Sequence, residues 1–396
     1  MTAAGKIDWI AGLLLICILL MPLTKMIPFL PSVPDMVYYA GFVGIVFWGL
    51  LHGAISVSYA YLPFMAVMFI SVWVNDIPAF FRVWFRLIAF LALFLAVGPF
   101  WVNPMMATWR RLLFTYLLMV IRLIVIVSFL GWAGGLDFVY GYSGFQGLTS
   151  QSMILGPLGG ISLIYGLYRF YLSSKRTGRY KEIGMVIISG IVLLLAGSRA
   201  ALGSTALAAA FFYSRIYRHR MTRLLQLIFL FICMAVLTSG IWWPYTERLR
   251  SKMEGGKIAG SMTASRDNLW KDRVNEFKAF PIFGVGFATV NLEYVQTKEK
   301  VNQQNGGIEP GSGWLFILSS MGLVGFLSFF VPYVHTLYRL YKRDEKEING
   351  YFVGTLLFFF FFHLYFEGYP LASGSFFCFL LWLLLSECNK IINTNN

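Results

Sequence analysis

The chain has 396 residues, 58% of them hydrophobic and only 13% charged, with a formal net charge of +14. Soluble domains carry roughly a quarter charged residues, so this composition excludes a soluble globular protein and defines an integral membrane protein. Four scattered cysteines, Cys17, Cys233, Cys378 and Cys388, lack the paired spacing of a disulfide framework or a zinc site, and the basic residues gather at the ends of apolar runs rather than in a stripe for nucleic acid.

A membrane span needs about 20 apolar residues. About twelve runs are read as spans, centred near residues 15, 45, 67, 93, 121, 162, 190, 206, 233, 324, 358 and 379. The first, from about Ile7 to Leu20, has no small-residue cleavage site and reads as a retained span, not a signal peptide. The connections "SSKRTGRYKE" (173–182), "RIYRHRMTR" (215–223) and "YRLYKRDEKE" (338–347) are strongly basic, whereas "GGLDFVYGYSGFQG" (134–147) and "EGYPLASG" (367–374) contain no Lys or Arg. The positive-inside rule makes the first set cytoplasmic and the second outward, with both termini cytoplasmic. This count places Arg82 and Arg86 outside, against the rule. The expected organisation is an all-α polytopic protein: nine spans over residues 1–242, one large outward loop over 243–313, and three spans with a cytoplasmic tail over 314–396.

Arg199 stands inside the apolar stretch "IVLLLAGSRAALGSTALAAAFF" (191–212). Ile183 to Gly197 makes about 22 Å of helix, short of a ~30 Å hydrocarbon core, so the turn carrying Arg199 is expected below the outer surface. A charge there faces a water-filled cavity or an anionic partner, or else snorkels to headgroups. Arg122 lies about 16 Å beyond Arg111 along one helix, near mid-bilayer, and is either functional or a structural arginine satisfied by carbonyls or a buried carboxylate.

In the outer segment "SMTASRDNLWKDRVNEFKAFPIFGVGFATV", Leu269 or Trp270, Val274, Phe277 and Phe280 recur at helical spacing between an N-cap at Ser265 and a stop at Pro281. This predicts an amphipathic helix lying on the membrane surface. Arg266 and Arg273, seven residues apart, share a face, and guanidinium forks suit the oxygens of a pyrophosphate. The alternative for Arg273 is an ion pair with Glu276 or Asp272.

The segments "GSRAAL" (197–202), "SRDNLWKDRVNEFKAFPIFGVGF" (265–287) and "GSGWLFILSSMGLVGF" (311–326) resemble, in this order, the signatures of the superfamily of O-antigen ligases and Wzy-type O-antigen polymerases. The resemblance implies a GT-C-like membrane fold and a glycosyltransferase of a Gram-negative inner membrane, acting at the periplasmic face on undecaprenyl-pyrophosphate-linked oligosaccharide. It implies no cofactor and no metal, pyrophosphate binding by Arg199 and Arg266, membrane lipids as surroundings and a chain-length regulator as partner. One departure matters. Many members, the ligases especially, carry a His-Asn pair where this chain has Gly311 and Ser312, and no histidine occurs in the outer loop; His52, His219, His335 and His363 lie in spans or near inner loops. This favours the polymerase branch.

Glycosyl transfer from such a donor needs stabilisation of the departing phosphate and a positioned sugar hydroxyl. Arg199, Arg266, Arg273 and Arg122 are the candidates for the first. For a general base the order is Glu309, then Glu367, then Glu293, unless positioning alone suffices. Tyr140, Tyr142, Trp270 and Trp314 sit at expected outer mouths, as sugar-stacking platforms or as belt residues. The expected activity is polymerisation of lipid-linked repeat units. The alternatives are ligation of the glycan to lipid A-core and, from another class, transport by a flippase, which the absence of two related halves disfavours.

Overall fold

An apolar run in hydrocarbon has no water to satisfy its peptide groups, so it satisfies them internally as a helix. Helices accordingly dominate the computed structural model. The structure describes residues 9–51, 55–141, 144–218, 246–258, 260–261, 263–343 and 348–393, with isolated positions between 220 and 243.

In chain order the helices are α1 (Trp9–Thr24), α2 (Asp35–Leu51), α3 (Leu62–Trp73), α4 (Val83–Val97), α5 (Pro104–Ala133), α6 (Ser152–Leu172) and α7 (Arg176–Ala196). They continue with α8 (Arg199–Ile216), α9 (Glu247–Ile258), α10 (Ala264–Ala279), α11 (Gly313–Lys342), α12 (Ile348–Phe366) and α13 (Phe376–Asn393). Two short antiparallel ribbons join helix ends: β1 (Ser56–Val57) with β2 (Trp101–Val102), and β3 (Tyr140–Gly141) with β4 (Gly144–Phe145). Every expected span centre except that near residue 233, which lies outside the described residues, falls within a helix. Among the described residues, five helical stretches are long and apolar enough to cross a membrane: Ala79–Val97, Pro104–Ala133, Ser152–Leu172, Gly313–Lys342 and Ile348–Phe366. The stretches Asp35–Leu51 and Tyr59–Trp73 are apolar but shorter. The chain is a mostly helical, multi-pass membrane protein.

Trp382 anchors the core, with its ring 4.8–6.3 Å from those of Tyr61, Phe64, Phe90, Phe94 and Phe329. Polar contacts between helix ends form two sets. At one end Asn75 Nδ2 donates to Gly284 O (2.9 Å), Ser150 N to Met26 O (2.9 Å), and the Tyr39 and Ser373 hydroxyls meet at 3.0 Å. At the other, Arg215 Nη2 donates to Arg343 O (2.9 Å), Lys390 Nζ to Ala107 O (3.1 Å) and Ser58 N to Phe100 O (2.6 Å). The segment 246–313 belongs to the first end. So does Arg86, whose Nη1 donates to Ala288 O (2.6 Å) and whose Nη2 bonds Gly306 O. This accounts for an arginine on that side: it holds the large loop.

The sequence read the region around residue 324 as one continuous span, and here the structure differs. Gly322 has φ 66° and ψ −170°, a break inside α11. The Trp314 ring lies 5.4–6.3 Å from Phe326, Phe330 and Tyr333, the first of which a straight helix would place about 18 Å further along. The stretch Gly313–Met321 is therefore folded back along the remainder, and Leu323–Lys342 alone supplies about 30 Å of helix, enough to span.

Segment 281–286 satisfies the peptide groups that the break frees. Val285 N donates to Ser319 O (3.0 Å) and Gly286 N to Ser320 O (3.0 Å), while Leu323 N donates to Pro281 O (2.8 Å) and Val324 N to Ile282 O (3.3 Å). Irregular backbone survives in a membrane protein when other protein buries it and completes its bonds. Both partners need glycine: a Cβ on Gly284 (φ 70°) would fall on the Met321 peptide, and one on Gly322 on the Ile282 carbonyl. Two of the signature segments are thus the two halves of one backbone clasp.

Candidate functional site

Four pieces of chain meet at the end that carries the large loop. Gly197, in the left-handed region at φ 59°, ends α7, and Ser198 Oγ accepts from Ala201 N (3.3 Å) to start α8. Arg199 is thereby the first residue of α8, half-buried at the junction of two helices. Its Nη1 donates to Lys252 O (3.5 Å), and Lys252 Nζ donates to Gly197 O (3.0 Å), which stitches α9 to this turn.

Arg266 projects from the first turn of α10, whose cap is Thr263, two residues before the expected Ser265. Its Nη1 donates to Gly311 O (3.0 Å) and its Nη2 to Glu367 Oε1 (2.6 Å). Trp270 Nε1 donates to the same Gly311 carbonyl (3.2 Å). Gly311 has φ 77°, and a Cβ there would press on Leu269 and Trp270, so only glycine lets this carbonyl approach α10. A Cβ on Gly313 would come within 2.9 Å of Glu367 O, and one on Gly368 would enter Pro310. The tripeptide Gly311–Gly313 is therefore packed against the segment that follows α12, with Ser312 Oγ bridging to Leu364 O (3.4 Å).

Glu367 is the half-buried carboxylate of this cluster. Burial raises its pKa above the usual carboxylate value, and the Arg266 guanidinium works against that rise. The charges of Lys252 and Glu309 act on it as well, which draws α9 and the 309–313 segment into one electrostatic unit with it. Glu309, ranked first as a base from sequence, is half exposed and paired with Lys300 at 3.2 Å. Glu367, ranked second, lies against Arg266, and Glu309 does not.

Several expected site residues go elsewhere. Arg122 is ion-paired with Glu182, which Arg169 also approaches (3.7 Å), and stacks 4.8 Å over Tyr165. Glu182 precedes Gly197 by about 22 Å of α7, too far for Arg122 and Arg199 to share one pyrophosphate. Arg122 is thus the structural arginine on a buried carboxylate. Arg273 is 2% exposed and lies 2.9 Å from Glu276 Oε2, so the shared face with Arg266 does not make a shared site.

The helix itself turns differently from its apolar pattern. Its buried positions are Leu269, Asp272, Arg273 and Glu276, and Val274 and Phe277 are only half-buried. The carboxylates organise the next loop: Asp272 accepts from Gln296 N (2.9 Å), Thr297 N (3.0 Å) and Thr297 Oγ1 (2.6 Å), and Glu276 Oε1 accepts from Asn291 N (2.7 Å). Burial lifts the Glu276 carboxyl to about 7 despite Arg273. The helix is an internal scaffold of the loop.

Trp314 is buried to 8%, donates Nε1 to Phe361 O (2.9 Å) and is surrounded by rings, so it is closed to a sugar. Trp270 is half-buried, edge-on to Tyr365 at 5.5 Å, and borders the cluster. Tyr140 is exposed on the β3–β4 ribbon, and Tyr142 lies outside the described residues. Sequence reasoning missed Lys252, which sits in a polar run without periodicity. It also set His363 aside among histidines in spans or near inner loops; His363 lies in the last turn of α12, and its carbonyl accepts from Glu367 N (3.0 Å). His363 is 1% exposed, its Nδ1 is 2.9 Å from the Tyr369 hydroxyl, and its Nε2 has no partner among the described residues.

The arrangement gathers Arg199, Lys252 and Arg266 around one half-buried carboxylate, Glu367. Residues 184–330, which hold Arg199, α9, α10 and the α11 clasp, match the family model described as O-antigen ligase. Over this part the chain is similar to the O-antigen ligase and polymerase superfamily, and the match supports membership of it. The superfamily acts on lipid-linked glycans with ligase- or polymerase-type chemistry. No curated protein matches the chain. In O-antigen ligase terms, the matched region ends just beyond the clasp, so the Glu367 segment that completes the cluster lies outside it.

Proposed function

We propose that the chain is an O-antigen polymerase, joining undecaprenyl-pyrophosphate-linked repeat units at the periplasmic face of the inner membrane. The observation that carries this reading is the double engagement of Arg266, with Glu367 and with the Gly311 carbonyl, beside Lys252 and Arg199. In the reaction an acceptor sugar hydroxyl attacks the anomeric carbon of the donor glycan. The bond from that carbon to the pyrophosphate oxygen breaks, and the charge remains on undecaprenyl pyrophosphate.

Arg266 and Arg199 hold the departing anion, where preorganised cations in a partly dry site contribute most. Glu367 takes the proton of the attacking hydroxyl. Its burial brings the carboxyl nearer neutrality, which suits a general base. Before substrate binds, the Arg266–Glu367 pair neutralises both charges; the donor pyrophosphate competes for the arginine and releases the carboxylate to act. The contact between His363 Nδ1 and the Tyr369 hydroxyl (2.9 Å) ties the end of α12 to the segment after it.

A second reading is a ligase that passes the glycan to lipid A-core. The description of the matching family favours it, and His363 is a histidine near this cluster, though a buried one. The test is turnover of undecaprenyl-pyrophosphate-linked repeat units in liposomes, with wild type beside Arg199→Ala, Arg266→Ala and Glu367→Gln, and products separated by size. A ladder that each change abolishes supports the polymerase. Glycan moved only onto added lipid A-core supports the ligase, and passage of the lipid between leaflets without bond cleavage refutes both.

A further inference from the structure

At the end of the molecule opposite Arg266, the β1–β2 ribbon, the start of α5 and the last turns of α13 enclose a cavity of about 430 Å³. Ser58, Val102, Ala107, Glu387 and Lys390 line it. Glu387 is only 5% exposed and makes no hydrogen bond or ion pair among the described residues, so a carboxylate faces the cavity with its acceptors unused. Such a group is costly unless something completes it.

Its neighbours are committed elsewhere. Ser386 Oγ accepts from Arg110 Nη1 (3.1 Å), and Arg110 also donates to Ala96 O (2.9 Å), Trp101 O (3.0 Å) and Leu95 O (2.9 Å). Lys390 Nζ is held by Ala107 O (3.1 Å). Lys390 lines the cavity beside Glu387, and the charges of Lys390, Arg111 and Arg110 all act on that carboxylate.

We propose that this cavity binds a primary ammonium joined to a phosphate ester, the chemistry of an aminoethyl phosphate headgroup. The carboxylate asks for N–H donors. Lys390 in the lining, with Arg110 and Arg111 acting on the carboxylate from outside the lining, disfavours a bare cation and balances a phosphate. Val57, Val102, Pro104 and Ala107 offer the apolar wall for the carbon chain, and a cavity at helix ends opens where headgroups lie. A trimethylated ammonium lacks the N–H donors that Glu387 needs, and an anionic glycerol headgroup lacks the cation. The proposal is independent of the activity assigned to the Arg266 site.

The test is lipid retention by the full chain, delipidated and then re-equilibrated with phosphatidylethanolamine, phosphatidylcholine or phosphatidylglycerol, read by native mass spectrometry. A second arm titrates soluble O-phosphoethanolamine. Wild type is expected to retain the ethanolamine lipid about tenfold over the choline lipid, a difference of about 1.4 kcal/mol. Glu387→Gln should abolish that preference and Ala107→Leu, which fills the cavity, should abolish retention, with unchanged melting temperatures certifying both folds. Retention of the lipid alone assigns the site to the bilayer, and binding of the soluble compound alone assigns it to a free amino phosphate. Equal retention of ethanolamine and choline lipids by wild type with no binding of the soluble compound, or an unchanged preference in the Gln variant, overturns the proposal.

Discussion

Arg266→Ala separates the structural from the chemical work of the cluster. The Arg266 and Glu367 side chains are 18% and 21% exposed, so the pair lies between a buried and a surface ion pair. Breaking a fully buried pair costs about 3–5 kcal/mol and a surface pair about 0–1, which places this loss at about 2 kcal/mol. Most of that cost is the carboxylate left in a desolvated site. The double variant Arg266→Ala with Glu367→Gln removes the stranded charge and should recover about 1 kcal/mol of the loss. Its activity should not recover, because removing one charged donor to a developing oxyanion costs about 10²–10³ in rate. Melting in detergent and initial rates of chain growth read the two quantities on the same preparations. Recovery of both stability and rate in the double variant would refute the assignment, since Arg266 would then act only through Glu367 and not on the donor.

The Glu276 carboxyl, raised by burial to about 7, makes a pH prediction. A carboxyl that holds its proton more tightly when folded stabilises below the unfolded value near 4.5 and loses that contribution as pH rises to about 7, at most about 3 kcal/mol. The wild-type melting temperature should fall across that window, and Glu276→Gln should flatten the decline. At the clasp, Gly322→Ala places a Cβ on the Ile282 carbonyl at positive φ and should cost more than about 3 kcal/mol, seen as lost membrane yield. Gly203→Ala, in α8 with nothing within 4 Å, should be neutral or gain up to about 1 kcal/mol. Arg122→Leu should lower stability by stranding Glu182, whereas the double change Arg122→Leu with Glu182→Leu should restore stability and leave polymerisation per folded molecule near wild type; loss of chain growth in that double variant would return Arg122 to the site.

Apolar run length and the placement of basic residues determined, by themselves, that this is a polytopic helical membrane protein, because hydrocarbon permits few other ways to satisfy a backbone. Arg199 stood out in the sequence as a charge against an apolar pattern, and Arg266 because it shares a face of the expected helix with Arg273. What stayed hidden depends on contacts between residues far apart in the chain. Nothing local marks Gly322 as a break, since its helix is interrupted only because residues 281–286 supply the missing hydrogen bonds. The periodicity of α10 pointed to an apolar face, yet its buried face is Asp272, Arg273 and Glu276, whose partners are peptide groups of a loop 15 to 25 residues away. Glu367 is proposed over Glu309 only because Arg266, 101 residues earlier, comes to lie against it. Side-chain type and spacing disclose which groups are costly to bury, but which of them meet is decided by the packing that brings their partners close.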